Sequence, residues 1–493
     1  MSKYRRYLLA VVAAGAMVAM TAPPASAESM PVTDPIPEQP ILSNLALTLQ
    51  EFAQFPKSEP TPAPTDPRLM RWARINYIGA VPGMPNRLYV PDLNGKLYLL
   101  DHKGGTPHEY LDVAATFAPD FVSGRGLGTG FGFVAFHPEF KRNGKFYTVH
   151  SEWDAALTNK TPDLTPQPNT RFHTIIDEWT ATDPRADTFS GTHREILRIG
   201  VAGQIHAIQQ IDFNPNARPH DPDYGLLYIA AGDGGQGAGN GNDDPQDLAI
   251  PQGKILRIDP LGTNSANGRY GIPANNPFVG QAGKIGEIYA YGMRDPHRFS
   301  WDPLTGRLFL GHIGEHAIEG VYDIRSGDNL GWPNREGNYV FSKTDRCHLY
   351  TLPDDDAQFG YNYPVAAFDH DPPPGLPCTA DSGHAMSGGF VYRGFRVLPL
   401  WGKYMFADLV TGEIFYTNER EMRRGQERAP VHQLQIVDNT GKVVTMQDLT
   451  GNQRIDLRFG RDHQGELYLL SKANGKIWKI TGTRCVNPNG ARS

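Results

Sequence analysis

Four segments of the chain carry side chains suited to chemistry. His206 lies in Gln204–Pro215 (QIHAIQQIDFNP), just before an expected strand and turn. An imidazole there can act as a general base near neutral pH, although most of the 16 histidines are expected to be surface or packing residues. Arg294 lies in Glu287–Ser300 (EIYAYGMRDPHRFS). A strand is expected to end there before Asp295-Pro296, because Pro296 has no backbone donor. An arginine at a strand end can stabilise an oxyanion or an anionic cofactor; a structural ion pair is the other reading. Gly311–Ile324 (GHIGEHAIEGVYDI) offers Glu315, Glu319 and Asp323 as hard oxygen ligands for calcium. Carbonyls at Gly314 and Glu315 can add to the set; a solvated acidic loop is the alternative. Ala231–Asp247 (AGDGGQGAGNGNDDPQD) is glycine-rich but lacks GKS or GKT, so it is not a phosphate loop. It reads as a long loop on the ligand face. No GxSxG elbow is present, which argues against an α/β-hydrolase.

The elements that must position these residues show as a recurring strand-turn-strand phrase. It reads RLYVPDLNGKLYLL at Arg87–Leu100, GKYMFADLVTGEIFYT at Gly402–Thr417 and GELYLLSKANGKIWKI at Gly465–Ile480. Asn94-Gly95 and Asn474-Gly475 are hairpin turn pairs. Three further copies have longer turns: Gly144–Val149 answered by Glu195–Ile199, Gly225–Ala230 by Gly253–Ile258, and Gly306–Leu310 near Val321–Ile324. The units are anchored at Tyr89, Tyr147, Tyr228, Phe309, Tyr404 and Tyr468. Repeated antiparallel units with period-2 alternation predict an all-β, six-bladed β-propeller over residues 68–483; two irregular β-sandwiches are the alternative. A propeller carries its ligand site at one mouth of the central channel.

The remaining features bound the setting. Met1–Ala27 has a basic start (Lys3, Arg5, Arg6), an apolar stretch and Ala25-Ser26-Ala27, the pattern of a cleaved secretory leader. The expectation is an exported protein, secreted or periplasmic, with no membrane span after leader cleavage. Residues 28–67 are proline-rich and read as an extended linker in which Ser43–Gln54 forms one short helix. Residues 484–493 read as a tail holding Cys485. Cys347 and Cys378 are plausible disulfide partners in an oxidising compartment, with free thiols as the alternative. The formal charge is −6, and a nucleic-acid binder would show a basic surplus.

Taken together, the segments resemble the soluble PQQ-dependent sugar dehydrogenases of the glucose/sorbosone dehydrogenase family. The resemblance is carried by GFGFVAFHPEF at Gly130–Phe140, Gln204–Pro215, GLLYIAAGDG at Gly225–Gly234, GKILRIDP at Gly253–Pro260, Glu287–Pro303, GDNLGWP at Gly327–Pro333, GGFVYRG at Gly388–Gly394 and KYMFADLVTG at Lys403–Gly412. It implies a six-bladed propeller that binds pyrroloquinoline quinone (PQQ) and Ca2+ and oxidises a sugar, with an unknown electron acceptor. It places His206 on the family's base, Arg294 on the arginine beside the quinone oxygens, and Gly314 and Glu315 on the calcium-carbonyl loop. Asp295 falls within the cofactor-contacting Arg-Asn-Pro motif of the family. Arg454 and Arg458 loosely echo the pair of arginines that grips the cofactor. Ile205, Asp295 and Val410 depart from the family's aspartate, asparagine and lysine, and Gly128 or its neighbours fall where a substrate-facing glutamine would be. Those departures keep open a non-catalytic propeller that binds a carbohydrate or protein. A metal-dependent hydrolase or lactonase is a third reading, by analogy of fold alone.

Overall fold

The computed structural model describes residues 30–235, 243–345, 347–371 and 383–487. The expected leader, Met1–Ala27, lies outside the described residues. Strands dominate, and each described α-helix is four or five residues long. No described helix is long and apolar enough to cross a membrane.

The strands form successive antiparallel meanders. The first is Gly79–Ala80, Arg87–Pro91, Lys96–Asp101 and His108–Asp112. The second is Phe133–Phe136, Lys145–Glu152, Phe172–Ala181 and Gly191–Val201. The third is Ile208–Phe213, Leu227–Ala231, Lys254–Ile258 and Ile288–Tyr291. The fourth is Asp295–Trp301, Leu308–Ile313, Ile318–Ile324 and Ala366–Asp369. Pro31–Val32, Leu349–Tyr350, Tyr339–Phe341 and Arg335–Glu336 form a further small sheet, and a nine-stranded sheet completes the arrangement. It runs from Phe390–Val391, Lys403–Ala407, Ile414–Asn418 and His432–Val437 through Ile41–Gln54 to Lys476–Cys485, Leu467–Ser471 and Leu457–Arg461, with Val443–Val444 paired to His432–Val437 as the ninth strand. The first strands of neighbouring meanders abut one another around a common axis. Tyr77 packs on Phe133 at 4.8 Å between the first and second.

Each repeat anchor occupies the second strand of its own unit. All are buried, because each aromatic fills the gap between neighbouring sheets. The predicted hairpins at Arg87–Leu100, Gly402–Thr417 and Gly465–Ile480 form in register. One pairing differs. Lys145–Glu152 pairs not with Glu195–Ile199 but with Phe172–Ala181 (FHTIIDEWTA), and Gly191–Val201 is the fourth strand. Phe172–Ala181 escapes a hydrophobic scan because it buries His173, Thr174, Asp177 and Glu178. Their partners are polar too: Asp177 meets His150 at 3.2 Å, and Glu178 meets Lys145 at 2.7 Å and Arg194 at 2.9 Å.

The segment read as a linker with a helix also differs. Ile41–Gln54 is a 14-residue strand, parallel to His432–Val437 and antiparallel to Lys476–Cys485. Register shifts at Thr48/Leu49 and Glu51/Ala53 break its alternation, so its apolar spacing imitates a helical one. Cys485 is not in a tail: it ends the last strand opposite Leu45 and carries a free, exposed thiol. Cys347 is disulfide-bonded. Cys378, its expected partner, lies outside the described residues.

Leu47 is fully buried within the bridging strand. Leu47→Ala should therefore cost about 3 kcal/mol in urea unfolding, where a linker position would cost almost nothing. A second expectation concerns His150, fully buried between Glu152 (3.3 Å) and Asp177 (3.2 Å). Burial opposes its charge, but the two carboxylates outweigh burial and raise its pKa. Its contribution to stability is full below the unfolded value of about 6.5 and is lost as pH rises through the higher folded value. Thermal melts from pH 6 to 9 should show that loss in the native protein and a smaller one in His150→Gln.

Candidate active site

The innermost strands all begin at the same end of the ring, where a cavity of about 430 Å³ opens. Asn76, Gly132, Ile208, Asp295, Ala385 and Arg458, at or near the starts of those strands, all line it. His206, Arg294, Asp295, Gly314, Glu315 and Arg454, chosen from sequence, line it too.

His206 precedes Ile208–Phe213 with φ of 55°, a conformation rare for a non-glycine residue. The turn around it supplies the restraint. A Cβ at Gly232 would sit 2.5 Å from the His206 carbonyl oxygen, so only glycine fits there. The Gly234 N–H donates to that carbonyl at 3.1 Å. Asp233, in the glycine-rich loop, places Oδ1 2.8 Å from His206 Nδ1. The same carboxylate accepts from the Gly235 N–H at 2.8 Å and from Trp332 Nε1 at 3.2 Å. An acceptor-only carboxylate at Nδ1 puts the ring proton on that nitrogen and leaves a lone pair on Nε2. Nε2 lies 3.9 Å from Asp295 Oδ2 at the cavity wall. Asp233 was not singled out in the sequence; its place between two glycines of GDGG was the one available signal.

Arg294 does not end a strand. The preceding strand stops at Tyr291, the next begins at Asp295, and Arg294 sits in the link. Pro296 is tolerated as the second residue of its strand, beside a bulge between Pro296 and Arg298. The Arg294 N–H donates to His312 Nε2 at 2.9 Å. Burial holds His312 neutral, with its pKa down to about 3, as an acceptor requires. The Arg294 guanidinium meets Glu315 at 2.6 Å. Burial works against its charge, but Glu315, Asp233 and Asp295 outweigh burial and push its pKa up. Burial likewise opposes ionisation of Asp295, yet His206, His297 and Arg294 keep it charged. Among the described residues Asp295 Oδ1 has no hydrogen-bond partner, and neither do the ring nitrogens of His297 beside it.

The floor is cationic. Arg68, Arg74, Arg294, Arg454, Arg458 and Lys472 line the cavity against Asp295, Glu315 and Asp456. Arg68 is paired with Asp66 at 2.9 Å. Asp456, also held at positive φ, is shared by Arg71 and Arg454 at 2.8 Å each. That leaves Arg74, Arg458 and Lys472 buried without a carboxylate in ion-pair contact among the described residues. Arg74 donates to the Ser123 carbonyl at 2.6 Å and Arg458 to the Leu457 carbonyl at 2.9 Å. Arg458 Nε has no partner. Burial, followed by repulsion from Arg458, pushes the Lys472 pKa far down. Arg74 and Lys472 were missed in the sequence, because a lone cation in a hairpin looks like surface charge.

Gly311–Ile324 is a hairpin rather than an acidic loop, and its carboxylates separate. Asp323 pairs with Arg307 at 3.0 Å. Glu319, fully buried, takes the Met386 N–H at 2.6 Å and meets His370 at 2.9 Å. Among the described residues no group of three or more His, Cys, Asp or Glu side chains is placed to hold a metal. At the turn, Glu336 accepts the N–H groups of His316, Ala317 and Ile318 at 2.7–3.0 Å. In planar trans peptides the carbonyls of Glu315 and His316 then point away from Glu336. Oriented carbonyls of this kind are calcium ligands in chemical type.

The glucose/sorbosone dehydrogenase family model matches residues 80–479. The chain belongs to the glucose/sorbosone dehydrogenase family. It is similar to the HIPL2 protein of Arabidopsis thaliana, with 29% identity over 68% of this chain and 51% of that protein. It is also similar to human Hedgehog-interacting protein, with 24% identity over 80% of this chain and 49% of that one. The chain thus spans about half the length of these curated relatives. The structure of PQQ-bound aldose sugar dehydrogenase from Streptomyces coelicolor matches 90% of this chain and all of that one, with TM-score 0.56 and 19% identity. This likeness supports a β-propeller fold.

The glucose/sorbosone dehydrogenase resemblance marks Gly128, Ile205 and Val410 as departures, and all three line the cavity. Gly128 has no room for a side chain, since a Cβ would come within 2.8 Å of Ile205 Cα. Ile205 and Val410 place apolar surface where charge was expected. The uncompensated floor has a consequence for stability. Lys472→Met should raise the unfolding free energy by about 1–2 kcal/mol in urea titrations, because a hydrophobe replaces a buried amine whose charged form is desolvated and repelled.

Proposed function

We propose that this chain is a six-bladed propeller that oxidises an aldose-type sugar with PQQ and calcium, and hands the electrons to an external acceptor. One observation carries the reading: His206, clamped by Asp233, shares a cavity with Arg294 and with Arg74, Arg458 and Lys472, which have no carboxylate in ion-pair contact among the described residues. That floor fits a small polycarboxylate. Arg74, Arg458 and Lys472 would hold it, with Arg454 and Asp295 at the edge. Bound there, PQQ supplies the two-electron oxidant. The chain's residues do the rest. Asp233 fixes the tautomer, so His206 Nε2 can take the proton of the sugar's anomeric hydroxyl. Asp295, 3.9 Å from Nε2, steadies the imidazolium that results. Arg294 stabilises negative charge that develops beside it. Burial of His206 excludes bulk water from the transfer. Calcium would be held at Gly314 and Glu315 by main-chain carbonyls, of which the Glu315 carbonyl is oriented by Glu336. The leader motif supports export, to the periplasm or outside the cell.

A second reading, a binding propeller without catalysis, is favoured by the Arg294–Glu315 ion pair, which occupies the arginine meant for the cofactor. Calorimetric titration of PQQ into calcium-loaded protein, paired with sugar-dependent dye reduction, separates the two. On the dehydrogenase reading the native protein binds PQQ and reduces the dye. Arg458→Ala should weaken binding about tenfold or more. His206→Gln should bind normally while dye reduction falls about 10²–10⁴-fold. A native protein that binds no PQQ removes the dehydrogenase reading and leaves the binding one.

A further inference from the structure

We infer that the opposite mouth of the channel is a second binding site, for a neutral saccharide. The innermost strands that start at the catalytic cavity end at another cavity, of about 690 Å³. Asp212 and Phe213 close Ile208–Phe213 there, Phe136 closes Phe133–Phe136, and Arg461 closes Leu457–Arg461. The two cavities therefore lie at opposite ends of one ring, and the inference does not rest on the dehydrogenase reading.

The floor carries polar groups with hydrogen-bonding capacity to spare: even Asp212, which Gln210 also contacts, keeps acceptor sites open to the cavity. Tyr77 and Tyr89 are both buried, and no hydrogen bond to a described residue engages either hydroxyl. Their rings converge because Gly79 yields the space: a Cβ there would lie 2.6 Å from the Tyr89 ring and hydroxyl and 2.7 Å from the Tyr77 ring. Asp212, half-buried, accepts the Phe213 N–H at 2.8 Å and forms no ion pair with a described residue. The half-buried Arg461 guanidinium lies over the Phe390 ring at 5.2 Å and likewise has no carboxylate within ion-pair distance. All four line the cavity, so their donors and acceptors are open to water or to a ligand.

The chemistry of the set selects the ligand. Asp212 and Arg461 balance in charge, so the floor calls for no counter-ion, unlike the cationic cavity at the other end. Phenols, a carboxylate and a guanidinium offer donors and acceptors together. Burial pushes Asp212 up to about 6, which makes its carboxyl able to act in either sense near neutral pH. The rim exposes apolar surface among polar residues: Phe395 is 79% exposed, Leu304 63% and Trp401 40%, and all three line the mouth. Arg393 stacks over Trp401 at 4.5 Å and is held by Asp302 at 2.7 Å, which steadies the indole. Aromatic faces around a mixed donor–acceptor floor complement the apolar faces and hydroxyl edges of a pyranose chain.

Titration of cellotetraose, maltotetraose and xylotetraose into the full chain, followed by calorimetry and tryptophan emission, tests this. At least one tetraose should saturate. Its affinity should fall about fivefold or more in Phe395→Ala and in Asp212→Asn and stay unchanged in Arg294→Ala. Phe395 is too exposed for its truncation to disturb folding, so that variant decides if Asp212→Asn misfolds. Failure of all three sugars to saturate would overturn the site. So would binding that is lost in Arg294→Ala and kept in Phe395→Ala, since it would belong to the other cavity. Self-association that depends on Phe395, without sugar binding, would make the rim a protein interface instead.

Discussion

A ring of separate sheets is closed only when the last of them is tied back to the start of the chain, and here a single strand makes the joint. Ile41–Gln54 hydrogen-bonds on one side to His432–Val437 and on the other to Lys476–Cys485. Thr48 and Thr481, whose hydroxyls lie 3.3 Å apart, are 433 residues apart in sequence. Closing a loop of that length costs little more than closing one half as long, because the entropy grows only with the logarithm of length. The return is larger. Two sheet edges that would otherwise template aggregation are paired, and Ala46 and Leu47 are buried. The ring geometry brings the starts of strands from every meander to one cavity and their ends to the other.

The first cavity is held against its own electrostatics. Arg74, Arg458 and Lys472 repel one another in a poorly solvated space, and His206 and Asp456 both carry positive φ. Strain and like charge of this kind reduce stability and persist where the surrounding structure over-determines them. Here the surroundings are Gly232, the Asp233 carboxylate and backbone carbonyls that take the guanidinium protons. An anion would relieve the repulsion. Glu315 already relieves it at Arg294, so the balance between the ion pair and an incoming ligand sets how tightly that arginine can grip.

Much of the site was legible because its residues sit in distinctive phrases. His206, Arg294, Glu315 and Arg454 were chosen one at a time from separate segments, and the fold brings them together. What was not legible depends on partners distant in sequence. Asp233 matters only because it reaches His206, and Glu336 only because it gathers three N–H groups twenty residues away or less. Glu319 and Asp323 looked like ligands beside Glu315, yet alternation along a strand and separate partners divide them. Phe172–Ala181 was passed over because buried, ion-paired polar residues interrupt its hydrocarbon.

By itself, then, the sequence determined the β-class, the repeat and its anchors, since period-2 alternation and turn chemistry act over ten or fifteen residues and need no distant partner. It also determined which residue types were on hand for acid–base and anion chemistry. The tertiary structure decided which of them meet. It turned part of the proline-rich linker into the strand that closes the ring, because only the two waiting sheet edges, hundreds of residues away, make extended backbone the better state for Ile41–Gln54. It also decided that Arg74, Arg458 and Lys472 face one another rather than water, since burial and the company of like charges are properties of a place in the fold and not of any local stretch of chain.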